Sequence, residues 1–204
     1  MHTIKTISEL EAIYNIEPVL ASTAKEVDHI TPAYRTLIEH SPFVALATTG
    51  PEGLDCSPRG DAGSVVRVLD EKTLAIPDRR GNNRIDSLRN IVADPRVALL
   101  FLLPGSGTTF RVNGTAFITT DASLIKSFEM EGKLPRSVIV IKVQVAYFQC
   151  ARAVIRAGLW DPTKYIPANT LPTAGQILET CSSGEINAEK YDTEWPTRAK
   201  NSMW

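Results

Sequence analysis

Cysteine is scarce in this chain: three in 204 residues, Cys56, Cys150 and Cys181, with no CxxC spacing. That argues against a zinc knuckle and against a disulfide framework, both of which need paired cysteines. Histidine is equally scarce, and His2, His29 and His40 all lie in the first fifth of the sequence. None has a neighbour that would mark a metal site or a catalytic dyad, so each is assigned to structure or surface. An excess of one charge is also missing. The formal net charge is −1, so bulk electrostatics do not support a nucleic-acid surface and any anion binding must be local. No apolar run approaches membrane-spanning length, and the opening MHTIKTISELEAIY lacks the core of a signal peptide. A reducing, cytoplasmic setting is the expectation. Neither GxGxxG, Walker A nor HExxH occurs, and no repeat or low-complexity tract interrupts the chain.

What the chain does have is concentrated between Thr73 and Val92. A short apolar run, Thr73-Leu74-Ala75-Ile76, reads as a strand that stops at Pro77. A polar turn follows, Asp78-Arg79-Arg80-Gly81-Asn82-Asn83, and then a helix starting near Arg84. Ile85, Leu88, Ile91 and Val92 recur at helical spacing and predict its buried face. Three arginines therefore collect where a strand hands over to a helix N-terminus. The free N–H groups and the positive dipole end there favour an anion, and arginine's planar fork suits a phosphate. The competing reading is a solvated basic turn whose arginines pair with nearby carboxylates.

Taken in order, residues 7–40 read as helical. Ser8 and Glu11 have capping-box spacing, Pro18 could open a second helix, and Thr31-Pro32 starts a third with Tyr34, Leu37 and Ile38 buried. After Pro42 the pattern turns to strands: Phe43 to Thr49, Leu54 to Pro58, Val65 to Leu69, Thr73 to Ile76, Val97 to Leu103, Thr108 to Ile118 and Val138 to Val145. The apolar run from Val97 to Leu103 predicts burial on both faces. Hairpin spacing and short helices point to a mainly β fold, an antiparallel barrel or sandwich, with the helical N-terminus covering one end. Residues 1–40 are expected as a helical extension packed on the barrel, 41–160 as the barrel, and 161–204 as an extended arm packed on its own domain or on a partner.

Two arginine loops, around Arg59 and around Arg80/Arg84, are one hairpin apart and could converge on one ligand. Arg111, on the strand Thr108 to Gly114, offers a third cation. Cys56 and Ser57 lack a nearby base, so nucleophilic catalysis has little support.

The runs Ser41-Pro42-Phe43-Val44-Ala45-Leu46-Ala47-Thr48, Cys56-Ser57-Pro58-Arg59-Gly60-Asp61 and Ile76-Pro77-Asp78-Arg79-Arg80-Gly81-Asn82-Asn83-Arg84 resemble the flavin-binding proteins related to pyridoxamine 5'-phosphate oxidase. Asp94-Pro95-Arg96-Val97 and Phe110-Arg111-Val112-Asn113-Gly114 continue the likeness, which covers about Pro32 to Trp160. The resemblance implies an antiparallel Greek-key split β-barrel and a homodimer with FMN between the subunits. It places Ser57 and Arg59 against the flavin and its phosphoribityl chain, Pro77 and Asp78 at the flavin through the strand end, and Asn83 and Arg84 at the phosphate, with Arg80 as a further candidate. Arg84, rather than Arg79, is the expected main partner of the phosphate. Thr109 would stand against the ring, and Trp160 and Arg156 could come from the second subunit. The implied activity is FMN-dependent oxidation–reduction of an unidentified small molecule, the alternative being a non-catalytic flavin carrier or redox sensor. The closing segment, Arg198 to Trp204, lacks the arginine- and histidine-containing pattern that grips pyridoxal phosphate, so vitamin B6 oxidation is not implied. Haem is disfavoured because no histidine falls in the barrel region.

Overall fold

The computed structural model of the protein describes residues 1–203; Trp204, the end of the expected arm, lies outside the described residues. Seven strands carry the fold: β1 (Phe43–Gly50), β2 (Gly53–Gly60), β3 (Arg67–Asp70), β4 (Thr73–Pro77), β5 (Arg96–Leu102), β6 (Thr109–Thr119) and β7 (Val138–Gln149). They form one antiparallel sheet in the order β2-β1-β5-β6-β7-β4-β3. The two edge strands, β2 and β3, do not pair with each other, so the sheet stays open as a split barrel. The mainly β, antiparallel reading of the sequence therefore holds.

Among the described residues there are eight helices: α1 (Ile7–Ile13), α2 (Leu20–Thr23), α3 (Pro32–Glu39), α4 (Asp86–Ala93), α5 (Ala122–Ser127), α6 (Arg152–Ala157), α7 (Ala174–Cys181) and α8 (Ala188–Ser202). α3 and α4 both pack on the core, α3 through Tyr34 and Ile38 and α4 through Ile91. Thr31 caps α3 by accepting from the Tyr34 N–H, and Pro32 supplies the fixed φ of its first turn. Tyr34 and Ile38 then face inward, the Tyr34 ring centroid 4.7 Å from that of Phe110, which in turn lies 5.5 Å from Phe101. Ile38 is fully buried, a contribution of about 1.5–3 kcal/mol relative to exposure. The Tyr34 hydroxyl donates to the Lys25 carbonyl at 2.5 Å, which ties down the segment before α3.

Several expectations are corrected. The capping box of α1 is Thr6 with Glu9, two residues before the expected Ser8 and Glu11, because the sequence repeats the same spacing and the earlier copy wins. α1 buries no residue, and α2 is a single turn beginning at Leu20 rather than Pro18. β5 is not buried on both faces. Val97, Leu99 and Phe101 point into the core, whereas Leu100, on the opposite face, is 37% exposed. α4 begins at Asp86, with Ile85 as its cap residue; Ile85 and Val92 are exposed, and Ser87 and Ile91 form the buried face with half-buried Leu88. Two polar contacts choose that face: Ser87 donates to Asp55 on β2 at 2.6 Å, and Asn90 to Thr48 on β1 at 3.1 Å. Within β6 the register shifts between Asn113 and Gly114, where an added Cβ would come within 2.0 Å of the Lys142 carbonyl.

Beyond Trp160 the chain makes two short 3₁₀ turns, Pro162–Lys164 and Ala168–Thr170, and then a helical hairpin. α7 and α8 pack closely because Gly175 has no Cβ: one there would lie 2.4 Å from the Ala188 carbonyl. The Gly175 N–H donates to Asp192 at 2.9 Å across the pair.

Candidate functional site

All five residues of β4 are buried, and Pro77, which has no N–H to donate, ends the strand. The ladder with β7 nevertheless runs one step further. Pro77 stands opposite Val138, and the Asp78 N–H donates to the Ser137 carbonyl at 2.9 Å. This fixes the start of the basic turn against the entry to β7. On the other side, β2 alternates so that Asp55, Ser57 and Arg59 face inward while Leu54, Cys56 and Pro58 face out. Arg59 Nη1 donates to Asp78 Oδ1 at 3.2 Å, and both side chains are 20% exposed. β2 and the β4 end are thereby joined across a cleft.

That cleft has a volume of about 880 Å³, within the ordinary range for small-molecule and cofactor sites. Ser57, Arg59, Asp78, Arg80, Asn83 and Arg84, six of the ten residues singled out in the sequence, line it together. Ile85 and Leu88 add apolar wall from the start of α4. The charge is lopsided: five arginines, Arg59, Arg79, Arg80, Arg84 and Arg136, line it with Asp78 as the single acidic residue. In a chain with net charge −1, this is the local cationic site the sequence required. α4 has no side-chain cap, so its first N–H groups add to the same positive end. One donor is conspicuous: Arg59 Nε is buried and has no acceptor. Leaving such a donor unpaired costs about 1–3 kcal/mol, which a ligand oxygen would recover.

The turn itself is held from within. The Arg84 N–H donates to Asn82 Oδ1 at 3.0 Å, and Asn83 takes a left-handed φ of 64° that asparagine tolerates. Arg84 is 76% exposed and pairs with Asp86, Nη2 to Oδ2 at 2.6 Å. Arg79 leaves the turn in the other direction. Its Nε donates to Asp61 at 2.9 Å and its Nη1 to the Phe128 carbonyl at 2.8 Å, with the Arg79 and Asp61 side chains only 17% and 11% exposed.

A second cleft of about 320 Å³ shares Arg79 with the first and has Arg67, Pro77 and Phe128 among its walls. Arg67 donates to Ser127 Oγ at 2.7 Å and to the Ser127 carbonyl at 2.8 Å, and its guanidinium lies 3.7 Å above the Phe128 ring. Burial first, and the nearby Arg79 charge second, pull the Arg67 guanidinium below its ordinary value. Among the described residues no cluster of three or more metal-ligating side chains occurs, and no helix is long and apolar enough to cross a membrane.

Four sequence candidates lie elsewhere. Pro77 lines the second cleft. Thr109 and Arg111 project from β6 on the side opposite Phe110 and Val112, with the Arg111 guanidinium 5.3 Å from the Tyr147 ring centroid. Trp160 Nε1 donates to the Ser106 carbonyl at 2.7 Å. Arg156, the other residue placed by resemblance, is exposed in the last turn of α6. Conversely, Arg136 and Ser137 line the main cleft and were not anticipated. The only sequence signal was an arginine just before the last strand, and its meaning depends on the β4–β7 pairing.

Comparison with solved structures finds similar chains at low identity. A candidate pyridoxamine 5'-phosphate oxidase from Lactobacillus delbrueckii is 23% identical over 59% of this chain and 95% of its own, with a TM-score of 0.47. HupZ from Group A Streptococcus is 22% identical over 56% and 90%, with a TM-score of 0.47. An FMN-binding protein from Syntrophomonas wolfei is 16% identical over 56% and 81%, with a TM-score of 0.43. Comparison with curated proteins finds no match. The family model described as pyridoxamine 5'-phosphate oxidase matches residues 30–150, more than half of the chain. That span holds every strand from β1 to β7 and the whole basic turn, and the chain belongs to the pyridoxamine 5'-phosphate oxidase family.

Proposed function

We propose that the main cleft binds FMN, with the phosphate at the β4–α4 junction, and that the protein is an oxidoreductase acting through it on a small molecule. The observation that carries this reading is the set of four arginines, Arg59, Arg80, Arg84 and Arg136, lining the cleft with one carboxylate, Arg59 having a buried and unpaired Nε. A phosphate monoester, with a charge of about −2 and three acceptor oxygens, is the complement of such a set. Bound FMN would supply the hydride or electron transfer.

The chain's own residues supply binding and orientation. Asp78 keeps the Arg59 guanidinium in place before a ligand arrives, and the carboxylate retains acceptor capacity for a ligand hydroxyl. Ile85 and Leu88 offer an apolar wall. Asp55 and Ser87 hold α4 to β2, so the two sides of the cleft keep a fixed separation.

The reading includes a homodimer in a cytoplasmic setting. Support for the dimer, with FMN shared between its subunits, comes from the sheet face opposite the core, where Leu54 and Leu100 are 88% and 37% exposed. The isolated protein is expected to take up FMN at micromolar concentration, to show a flavin absorbance spectrum, and to have twice the chain mass in solution. A colourless protein that takes up no FMN sinks the proposal; a monomer that binds FMN tightly sinks the shared site. Mixing the photoreduced protein with candidate acceptors separates turnover from carriage, since reoxidation no faster than that of free FMN assigns it as a carrier.

A further inference from the structure

The five arginines of the main cleft are not equivalent. Arg59 is paired with Asp78, Arg79 with Asp61 and Arg84 with Asp86. Among the described residues, Arg80 and Arg136 lie in the cleft with no carboxylate partner. Two uncompensated cations match the charge of about −2 on a phosphate monoester at neutral pH.

Arg136 has a second property that Arg80 lacks. Its Nη1 donates to Asn83 Oδ1 at 2.8 Å, a bond that spans 53 positions of sequence. Both ends of this bond are fixed. Asn83 is held in the left-handed region at the tip of the basic turn, and Arg136 directly precedes Ser137, whose carbonyl is engaged by the Asp78 N–H. The bond thus bridges the basic turn and the entry to β7. A guanidinium anchored by one of its five N–H groups keeps the other four for a ligand, and it loses less side-chain freedom on binding than a loose one. The Asn83 side chain has no net charge, so the bond orients the cation without neutralising it. That is the reverse of what Asp61 does to Arg79.

We propose that Arg136 is a phosphate ligand of this cleft, oriented by Asn83, and that it sets the preference for a phosphorylated over an unphosphorylated flavin. The proposal rests on the FMN reading and adds to it a residue from outside the basic turn.

The test compares FMN with riboflavin, which lacks the phosphate, by quenching of flavin fluorescence on titration. Arg136→Ala should weaken FMN binding on the order of 10- to 100-fold, the range for a charge-assisted hydrogen bond, and leave riboflavin within about twofold. Its thermal unfolding midpoint should stay that of the unaltered protein. Asn83→Gly tolerates the left-handed backbone conformation and removes the side-chain amide that accepts from Arg136. It should weaken FMN by roughly 3- to 10-fold, and combined with Arg136→Ala it should add almost nothing, because the two act through one contact. Unchanged FMN affinity in Arg136→Ala overturns the proposal, as does an equal loss for both flavins. Those results differ from failure of the FMN reading itself. If the unaltered protein binds FMN no better than riboflavin, or takes up neither, the phosphate does not occupy the cleft and both conclusions fall.

Discussion

The two neighbouring clefts share an arginine and use it to opposite ends. In the smaller, Arg67 and Arg79 direct their donors to Ser127, the Phe128 carbonyl and Asp61. They close the carbonyl end of α5 and hold it to the sheet, the position where a helix dipole favours cations. In the larger, Arg80 and Arg136 have no carboxylate partner among the described residues. Arg79 and Arg80 are adjacent in sequence and identical in chemistry, yet one is structural and the other is free for a ligand. The number of arginines in a basic run is therefore a poor marker of a binding site. The partners already engaged tell the two kinds apart.

The largest effect that tests this contrast is on stability. Arg79→Ala leaves Asp61 nearly buried and unpaired and removes the donor to Phe128 O, so it should cost about 2–4 kcal/mol in urea unfolding. A loss below about 0.5 kcal/mol, with FMN binding abolished, would erase the distinction. Next comes Arg80→Ala. It should leave stability within about 0.5 kcal/mol and weaken FMN on the order of 10-fold, as expected when one exposed cation facing a phosphate is removed. Arg84→Ala should have the weaker effect of the two on FMN, roughly threefold, because Asp86 already neutralises the guanidinium and salt screens what remains. If Arg84→Ala weakened FMN more than Arg80→Ala, the phosphate would have to displace Asp86, and the rule of reading partners would need a ligand-bound exception.

Most of the fold was legible because its signals are local. The strand at Phe43 to Thr49, the turn at Gly50 to Gly53, the Thr31-Pro32 start of α3 and the stop at Pro77 all lie within a few residues of their causes. The gathering of arginines at the strand-to-helix junction was legible for the same reason. What escaped depended on contacts distant in sequence. α4 was expected to bury Ile85 and Val92 on hydrophobicity alone, but Ser87 and Asn90 turn the helix to meet Asp55 and Thr48, 32 and 42 positions away. β5 looked buried on both faces because seven apolar residues in a row conceal the alternation that leaves Leu100 exposed on one of them. Arg136 escaped because nothing in Leu134-Pro135-Arg136-Ser137 announces that β7 lies beside β4. The engagement of Arg79 escaped for the same reason, since Asp61 and Phe128 lie 18 and 49 positions away.

The smallest effect concerns an arginine of a third kind, exposed and committed to its own neighbour. Arg96, 74% exposed, donates to Asp94 through Nε at 2.9 Å, and its N–H donates to the same carboxylate at 3.0 Å. These bonds, the side-chain one first, lower the Asp94 carboxyl from 3.8 to about 2. A carboxyl whose folded value lies below its unfolded one stabilises the protein above the unfolded value and loses that contribution as pH falls through the folded one. The contribution is therefore intact above roughly pH 4 and disappears between about pH 4 and pH 2. Arg96→Ala should lower stability slightly near neutral pH, and its difference from the unaltered protein should vanish as pH falls from about 4 to about 2, as monitored by circular dichroism. FMN affinity should not change, because Arg96 lies outside both clefts. A loss of FMN binding in Arg96→Ala would mean that the far end of α4 communicates with its N-terminus, and partners alone would no longer sort the arginines.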